Sequence, residues 1–460
     1  MKTQKLKQLC PAFACVALLL LMGTGCEKTP SPTNTGGCQK EIIDQIAKQM
    51  NKRASTVVVA DSVKLSIYID GSVSMRGFTN KDNLTQFATV VRDIEGYVLG
   101  QWPKGKPDVE YFKFSDGIRD IKKNEFAKTF RPDFYNGPDT NIDKVLASAK
   151  IINDNQLIVI VTDLFQNDAD SALLNNKLQL LSLAHPNSAL SLGILGIRAP
   201  FDGIVYDVGP MKHKFHYKSS SDSKSFRPFY ILLLGKYATL QTFFHNMNAE
   251  LLRKIPDDSV NAVIFSENAL HTPLEYSKIN ALKGLTALKV QEPELQKYCR
   301  KFMLTKGIKQ DAAHFYASLN VKPFPFAFQP NLSGGSVNIV VKRCPKQETK
   351  MEDASNVIPG ARGELTDSTS KELNLRVHLE PRYFGDSSFY LFELTFTSIK
   401  TTYPKWFEEW DMDVSQISQW IQRPALFDGS RTQGLRSFLV GASKVFAPSS
   451  VKTYFILTRK

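Results

Sequence analysis

Apolar residues run almost without interruption through Val63-Lys-Leu-Ser-Ile-Tyr-Ile-Asp70, Leu157-Ile-Val-Ile-Val-Thr-Asp163, Ala189-Leu-Ser-Leu-Gly-Ile-Leu195 and Phe229-Tyr-Ile-Leu-Leu-Leu234. Short β-branched runs of this kind are the signature of strands covered on both faces. Between them the period changes. Phe87, Val90, Val91, Ile94 and Val98 fall on one face of a helix over Asn83 to Val98, and Thr239 to Leu252 reads as a closing helix. Val109 to Phe114 is a further strand, and Ser115-Asp-Gly117 marks a turn into Ile118 to Ile121, an antiparallel edge. Strand alternating with helix predicts an α/β domain over 55–255 with a doubly wound, mostly parallel sheet. One stretch interrupts it: Phe201 to Phe226, with Gly203, Gly209 and a Ser/Lys-rich tip, reads as an inserted hairpin.

From about Pro256 the texture becomes that of half-buried antiparallel strands. Leu373-Asn-Leu-Arg-Val-His-Leu-Glu380 alternates strictly, Tyr390, Phe392, Leu394 and Phe396 share one face, and Ser336 to Val341 and Val451 to Leu457 are further strands. These predict a β-rich α+β C-terminal domain over 256–460, with Pro345 to Lys371 as a long mobile loop and a late helix around Thr432 to Val445. Trp406, Trp410 and Trp420 lie among acidic residues and are expected to pack between the domains, since Trp is highly buried on average.

The N-terminus follows a different logic. Met1 to Lys7 carries three lysines and no acid, and Pro11 to Met22 is apolar but too short to cross a membrane as a stable helix. It reads as an export signal. Gly23-Thr-Gly-Cys26 resembles a bacterial lipoprotein cleavage box, with Gly23 where Leu is usual. That resemblance implies removal of residues 1–25, lipidation of Cys26 and anchoring in a bacterial cell envelope. Glu27 to Gly37 would then be a flexible tether and Gln39 to Lys52 a short amphipathic helix. The formal net charge of +13 falls by three on removal of the signal and stays basic. No Lys/Arg run carries interleaved aromatics, so no nucleic-acid role is expected. Of the six cysteines, Cys299 and Cys344 are the expected pair for a disulfide in an oxidising envelope, with Cys38 left over.

The candidate chemistry sits at strand ends. Asp70 closes the first apolar run, and a sharp turn after it would bring the hydroxyls of Ser72 and Ser74 to the same side as its carboxylate, in a solvated crevice of the sheet. Thr140 stands in a Gly137-Pro-Asp-Thr turn before a helical pattern, and Asp163 closes another strand. Hard oxygens in this arrangement suit Mg2+ or Mn2+. Asp70-x-Ser72-x-Ser74, Thr140 and Asp163, in this order and strand context, resemble the metal-ion-dependent adhesion site of von Willebrand factor type A domains. The resemblance implies direct contact of Ser72, Ser74 and Thr140 with the ion, Asp70 and Asp163 acting mainly through water, and an open position completed by a carboxylate from a protein partner. Many members have Gly after the last Asp, whereas this chain has Leu164-Phe-Gln166.

Enzymatic signatures are poor by comparison. Gly100-Gln-Trp-Pro-Lys-Gly-Lys-Pro107 imitates a phosphate-binding loop but ends in Pro107 instead of a hydroxyl and joins helix to strand, the wrong order. Neither a Gly-x-Ser-x-Gly elbow nor a His-Glu-x-x-His pair occurs. His213 and His216, three apart on a strand, point to opposite faces and are not expected to share a metal. The expectation is a metal-dependent binding protein and not an enzyme. Two alternatives stay open: an envelope hydrolase using the same ion as a Lewis acid, and a structural lipoprotein with a degenerate site.

Overall fold

The computed structural model describes residues 40–48, 63–99, 108–148, 156–164, 168–184, 190–251, 253–267 and 270–459, the last with breaks at 271–272, 306–312, 324, 330, 346–347, 349, 355–359, 370, 387, 398–402 and 448–449. The expected export signal, Cys26, the expected tether, Cys38 and the Gly100 to Pro107 stretch lie outside the described residues.

In the first half the strands are β1 (Lys64–Asp70), β2 (Asp108–Phe114), β3 (Ile118–Ile121), β4 (Gln156–Thr162), β5 (Leu190–Ala199), β6 (Asp202–Val208), β7 (His213–Lys218), β8 (Arg227–Lys236) and β9 (Val260–Phe265). All but β6 and β7 form one sheet in the order β3-β2-β1-β4-β8-β5-β9. Side chains of β1 alternate between its two faces, Leu65, Ile67 and Ile69 entering one apolar cluster and Tyr68 the other. The helices Gln86–Leu99 and Tyr237–Leu251 cover the first face through Phe87, Val91, Ile94, Phe243 and Phe244. The helices Ile142–Ser148, Asp168–Ala184 and Leu435–Phe446 cover the second through Val145, Leu174, Leu178, Phe438 and Leu439.

Strands β2, β1 and β4 are mutually parallel and β3 is the antiparallel edge. Beyond β4 the parallel run stops, for β8 is antiparallel to β4 and to β5, and β9 is antiparallel to β5. The reason is the connection. A parallel pair needs a long crossover, usually a helix, whereas β5 reaches β8 through the β6–β7 hairpin, so the chain comes back beside itself. Periodicity reports which residues are buried; it does not report strand direction.

The second half contributes β10 (Glu275–Lys283), β11 (Leu285–Leu288), β12 (Cys299–Leu304), β13 (Ala313–Asn320), β14 (Ser336–Cys344), β15 (Glu352–Asp353), β16 (Ala361–Thr366), β17 (Glu372–Leu379), β18 (Phe389–Thr397) and β19 (Ser450–Arg459). A four-stranded sheet, β10-β13-β17-β16, and a six-stranded sheet, β11-β12-β19-β18-β14-β15, share one apolar core containing Phe302, Phe315, Leu375, Phe392 and Phe455. The expected loop from Pro345 to Lys371 contains β15 and β16. Strand β16 is polar because it is an edge strand, pairing with β17 on one side and presenting Arg362 and Glu364 to solvent.

The two halves do not divide once near residue 256. β9 belongs to the first sheet, and the 403–447 segment returns to it: Trp406 and Trp410 pack with Tyr230 and Phe265, while Trp420 and Phe427 join the opposite cluster. The tryptophans thus cover the first sheet's two faces. Conversely, the 40–48 helix lies on the second half, its Ile42 and Ile46 against Leu391, Tyr454 and Ile456.

The expected Cys299–Cys344 disulfide is absent. Cys299 is a buried free thiol, whereas Cys344 is disulfide-bonded. Cys299 lies on β12 and Cys344 on β14, with β19 and β18 between them in the sheet. Three strand spacings of about 4.8 Å far exceed the roughly 7 Å over which two Cα atoms can be bridged.

Candidate metal centre

Strand β1 ends at Asp70, and its neighbours decide what that carboxylate meets. Gly137 donates to the Gly71 carbonyl (2.9 Å) and accepts from the Val73 amide (2.9 Å), so the loop before the helix Ile142–Ser148 is laced to the turn after β1. Only glycine permits this approach, because a Cβ at 137 would lie 2.3 Å from Ser115 Cβ. The lacing delivers Thr140. Its hydroxyl lies 3.2 Å from Asp70 Oδ2 and 3.0 Å from Ser72 Oγ, and Ser72 Oγ lies 2.9 Å from Ser74 Oγ. Asp70, Ser72, Ser74 and Thr140 are therefore linked to one another by hydrogen bonds.

The expectation of a solvated Asp70 is corrected. Asp70 is fully buried, held by the Ser72 amide (2.9 Å) and by the Thr162 hydroxyl (2.8 Å), which donate to its two oxygens. Burial, followed by the negative charge of nearby Asp163, pushes the Asp70 carboxyl up to about 7, while the Ser72 and Thr162 hydrogen bonds pull the other way. Leu164 completes the arrangement in the left-handed region, φ 52°, its amide donating to Thr162 Oγ1 at 3.1 Å. Here the chain departs from the Gly-bearing pattern. A non-glycine residue pays about 1–2 kcal/mol for this conformation, offset by burial of the Leu164 side chain among Ile160, Leu174 and their neighbours.

Asp163 is engaged elsewhere. Its Oδ2 lies 3.6 Å from an Arg227 guanidinium nitrogen, both side chains being essentially inaccessible. Arg227, at the start of β8, also donates to the carbonyls of Gly429 (3.0 Å) and Arg431 (3.3 Å) and sits over the Phe201 ring. Burial lowers the proton affinity of its guanidinium and the Asp163 charge raises it. Sequence reading missed Arg227, since one Arg before an apolar run looks like a strand flank. It also missed Thr162.

Above the hydroxyls opens a cleft of about 650 Å³. Its floor includes Ser72, Ser74 and Thr140, and one wall is the β6–β7 hairpin, which contributes Tyr206, Lys212 and Lys214. The hairpin is fixed in place: Gly209 N donates to Gln433 Oε1 (2.8 Å) and Phe215 stacks on Phe427 at 4.6 Å. Among the described residues no cluster of three His, Cys, Asp or Glu side chains could hold a metal. Any ion here would rest mainly on neutral hydroxyls.

The donor set fits a small hard cation. Cis oxygens bound to one octahedral Mg2+ at about 2.1 Å are roughly 3.0 Å apart, which is the spacing of Ser72 Oγ from Ser74 Oγ and from Thr140 Oγ1. Hydrogen bonding explains the same spacing, so an ion can replace those bonds with little rearrangement. No protein-family model matches the chain, and no curated protein matches it.

Proposed function

We propose that this protein is a divalent-metal-dependent protein-binding module of a bacterial cell-envelope lipoprotein. Ser72, Ser74 and Thr140 would hold Mg2+ or Mn2+ directly, Asp70 behind them would supply the negative charge, and a carboxylate of the protein partner would complete the ion. The observation that carries this reading is Ser72 Oγ at cation-compatible spacing from both the Ser74 and Thr140 hydroxyls on the floor of an open cleft, backed by a buried carboxylate. When bound, the ion supplies a positive charge that neutral ligands leave largely uncancelled, and that charge favours an acidic group. The von Willebrand factor type A resemblance is supported by the β3-β2-β1-β4 order, the antiparallel β3 edge and the position of Asp70 at the end of the central strand, where connections leave toward opposite sides of the sheet.

The envelope location draws support from the disulfide at Cys344, because such bonds persist in oxidising compartments. No helix among the described residues is long and apolar enough to cross a membrane. The ion pair between Asp163 and Arg227 favours a second reading, a structural lipoprotein with a degenerate site, since Arg227 already neutralises one carboxylate.

A pull-down separates the two. Full-length protein with an affinity tag, incubated in envelope extract containing 1 mM Mg2+ as an order-of-magnitude choice for hard-ion sites of weak affinity, is expected to retain partners that chelator releases and that Thr140→Ala fails to retain. Identical retention with chelator, or by the variant, overturns the proposal.

A further inference from the structure

Cys344 is disulfide-bonded and Cys299 is free, so the partner of Cys344 is one of Cys10, Cys15, Cys26 or Cys38. One peptide group selects among them. The carbonyl oxygen of Lys350 lies 3.6 Å from Cys344 Sγ, and the amide of Met351, the other end of the same peptide unit, donates to Glu41 Oε2 at 2.8 Å. The 40–48 helix is further fixed by Lys342 Nζ donating to Gln45 Oε1 (3.3 Å) and by Ile42 and Ile46 buried on the six-stranded sheet that carries Cys344. Glu41 Oε2 therefore lies within about 9 Å of the Cys344 sulfur. Cys38 precedes Glu41 by three residues, a span of at most about 11 Å. Cys26 precedes it by fifteen residues, and Cys10 and Cys15 are more distant still.

We propose that Cys38 and Cys344 form a disulfide that staples the N-terminal arm to the C-terminal β-sheet. The two thiols lose their hydrogens and become one S–S bond, while the disulfide of an envelope thiol oxidoreductase is reduced to its dithiol. The staple closes a loop of about three hundred residues, for which the chain-entropy account gives a large effect on the unfolded state. It also confines the tether of the proposed lipoprotein to residues 26–37, so the body hangs from its C-terminal sheet and leaves the cleft on the other half unattached. The pairing itself does not depend on whether Cys26 is lipidated.

Mass spectrometry of the full-length protein digested without reduction tests it. The expected result is one cross-linked peptide pair containing Cys38 and Cys344, with Cys299 alkylated only after denaturation. A Cys344 peptide linked to Cys26, Cys15 or Cys10, or alkylated as a free thiol, overturns the proposal. Cys38→Ser supplies a second readout: because Cys344 is fully buried, alkylation is done in denaturant without reductant, where Cys344 should react in Cys38→Ser protein and stay protected in Cys299→Ser protein. Protection of Cys344 under those denaturing, non-reducing conditions in Cys38→Ser protein would equally refute the pairing.

Discussion

Mg2+ or Mn2+ is expected to raise the Tm of the wild-type protein, and Asp70→Asn is expected to abolish that rise. An ion that binds only the folded chain stabilises it by RT ln(1 + [L]/Kd), about 2.7 kcal/mol at a hundredfold excess over Kd. For a unit of 150–250 residues each kcal/mol moves Tm by roughly 2–4 °C, so the wild-type shift is several degrees and easily read. Asn is the suitable replacement. Ala would strand the Ser72 amide and the Thr140 and Thr162 hydroxyls that point at the carboxylate, and buried donors left without acceptors cost about 1–3 kcal/mol each. Ser72→Ala and Thr140→Ala should each weaken the same response. A metal response in all three variants equal to that of wild type would show that these residues do not form a common site.

The same residue predicts a pH dependence in the absence of metal. Burial and Asp163 raise the Asp70 carboxyl to about 7 in the folded chain, against 3.8 as its ordinary value. Between these values the folded state keeps a proton that the unfolded state has released, so stability contributed by Asp70 is complete below the lower value and is lost as pH rises through the upper one. In chelator, then, wild-type Tm should fall from about pH 5 to pH 8, and the fall should be smaller in Asp70→Asn, measured at constant ionic strength. An unchanged slope in the variant would remove Asp70 as its source.

What could be read from the chain alone follows from which interactions are local. Asp70, Ser72 and Ser74 lie within one strand and turn, and Thr140 is announced by a Gly137-Pro turn before a helix; spacing and chemistry place all four together. Direction and depth are not local. The apolar run of β8 looks alike in either direction, and its orientation is fixed by the hairpin that replaces a crossover helix. The solvation of Asp70 was misjudged because Thr162, one position before the expected Asp163, covers it from the adjacent strand. Cysteine counting paired Cys299 with Cys344 because it could not see β18 and β19 between them. The helix Leu435–Phe446 is legible from its period, but its docking on the sheet of the first half is not.

Arg227→Met is expected to be the most destabilising single change near the site, by about 3–5 kcal/mol, because removing one partner of a buried ion pair leaves the other charge uncompensated in a low-dielectric interior. Met keeps the apolar volume of the stem, so the loss reports the guanidinium, with its charge, its hydrogen bonds and its place over the Phe201 ring. The Asp163 carboxylate would lose its guanidinium, and the Gly429 and Arg431 carbonyls would lose a donor. Combining Arg227→Met with Asp163→Asn should recover part of the loss, since replacing both members of such a pair is far cheaper than replacing one. Denaturant unfolding of wild type, both single variants and the double variant gives the coupling directly. The effect should also reach the cleft: the 428–433 segment that Arg227 holds carries Gln433, which anchors the hairpin at Gly209. In Arg227→Met, therefore, amide exchange should quicken in the Tyr206 to Lys214 tip at denaturant concentrations where β1 and β4 remain protected. A single variant within about 1 kcal/mol of wild type, the upper end of what exposed ion pairs contribute, would mean that Arg227 does not carry the charge balance of Asp163.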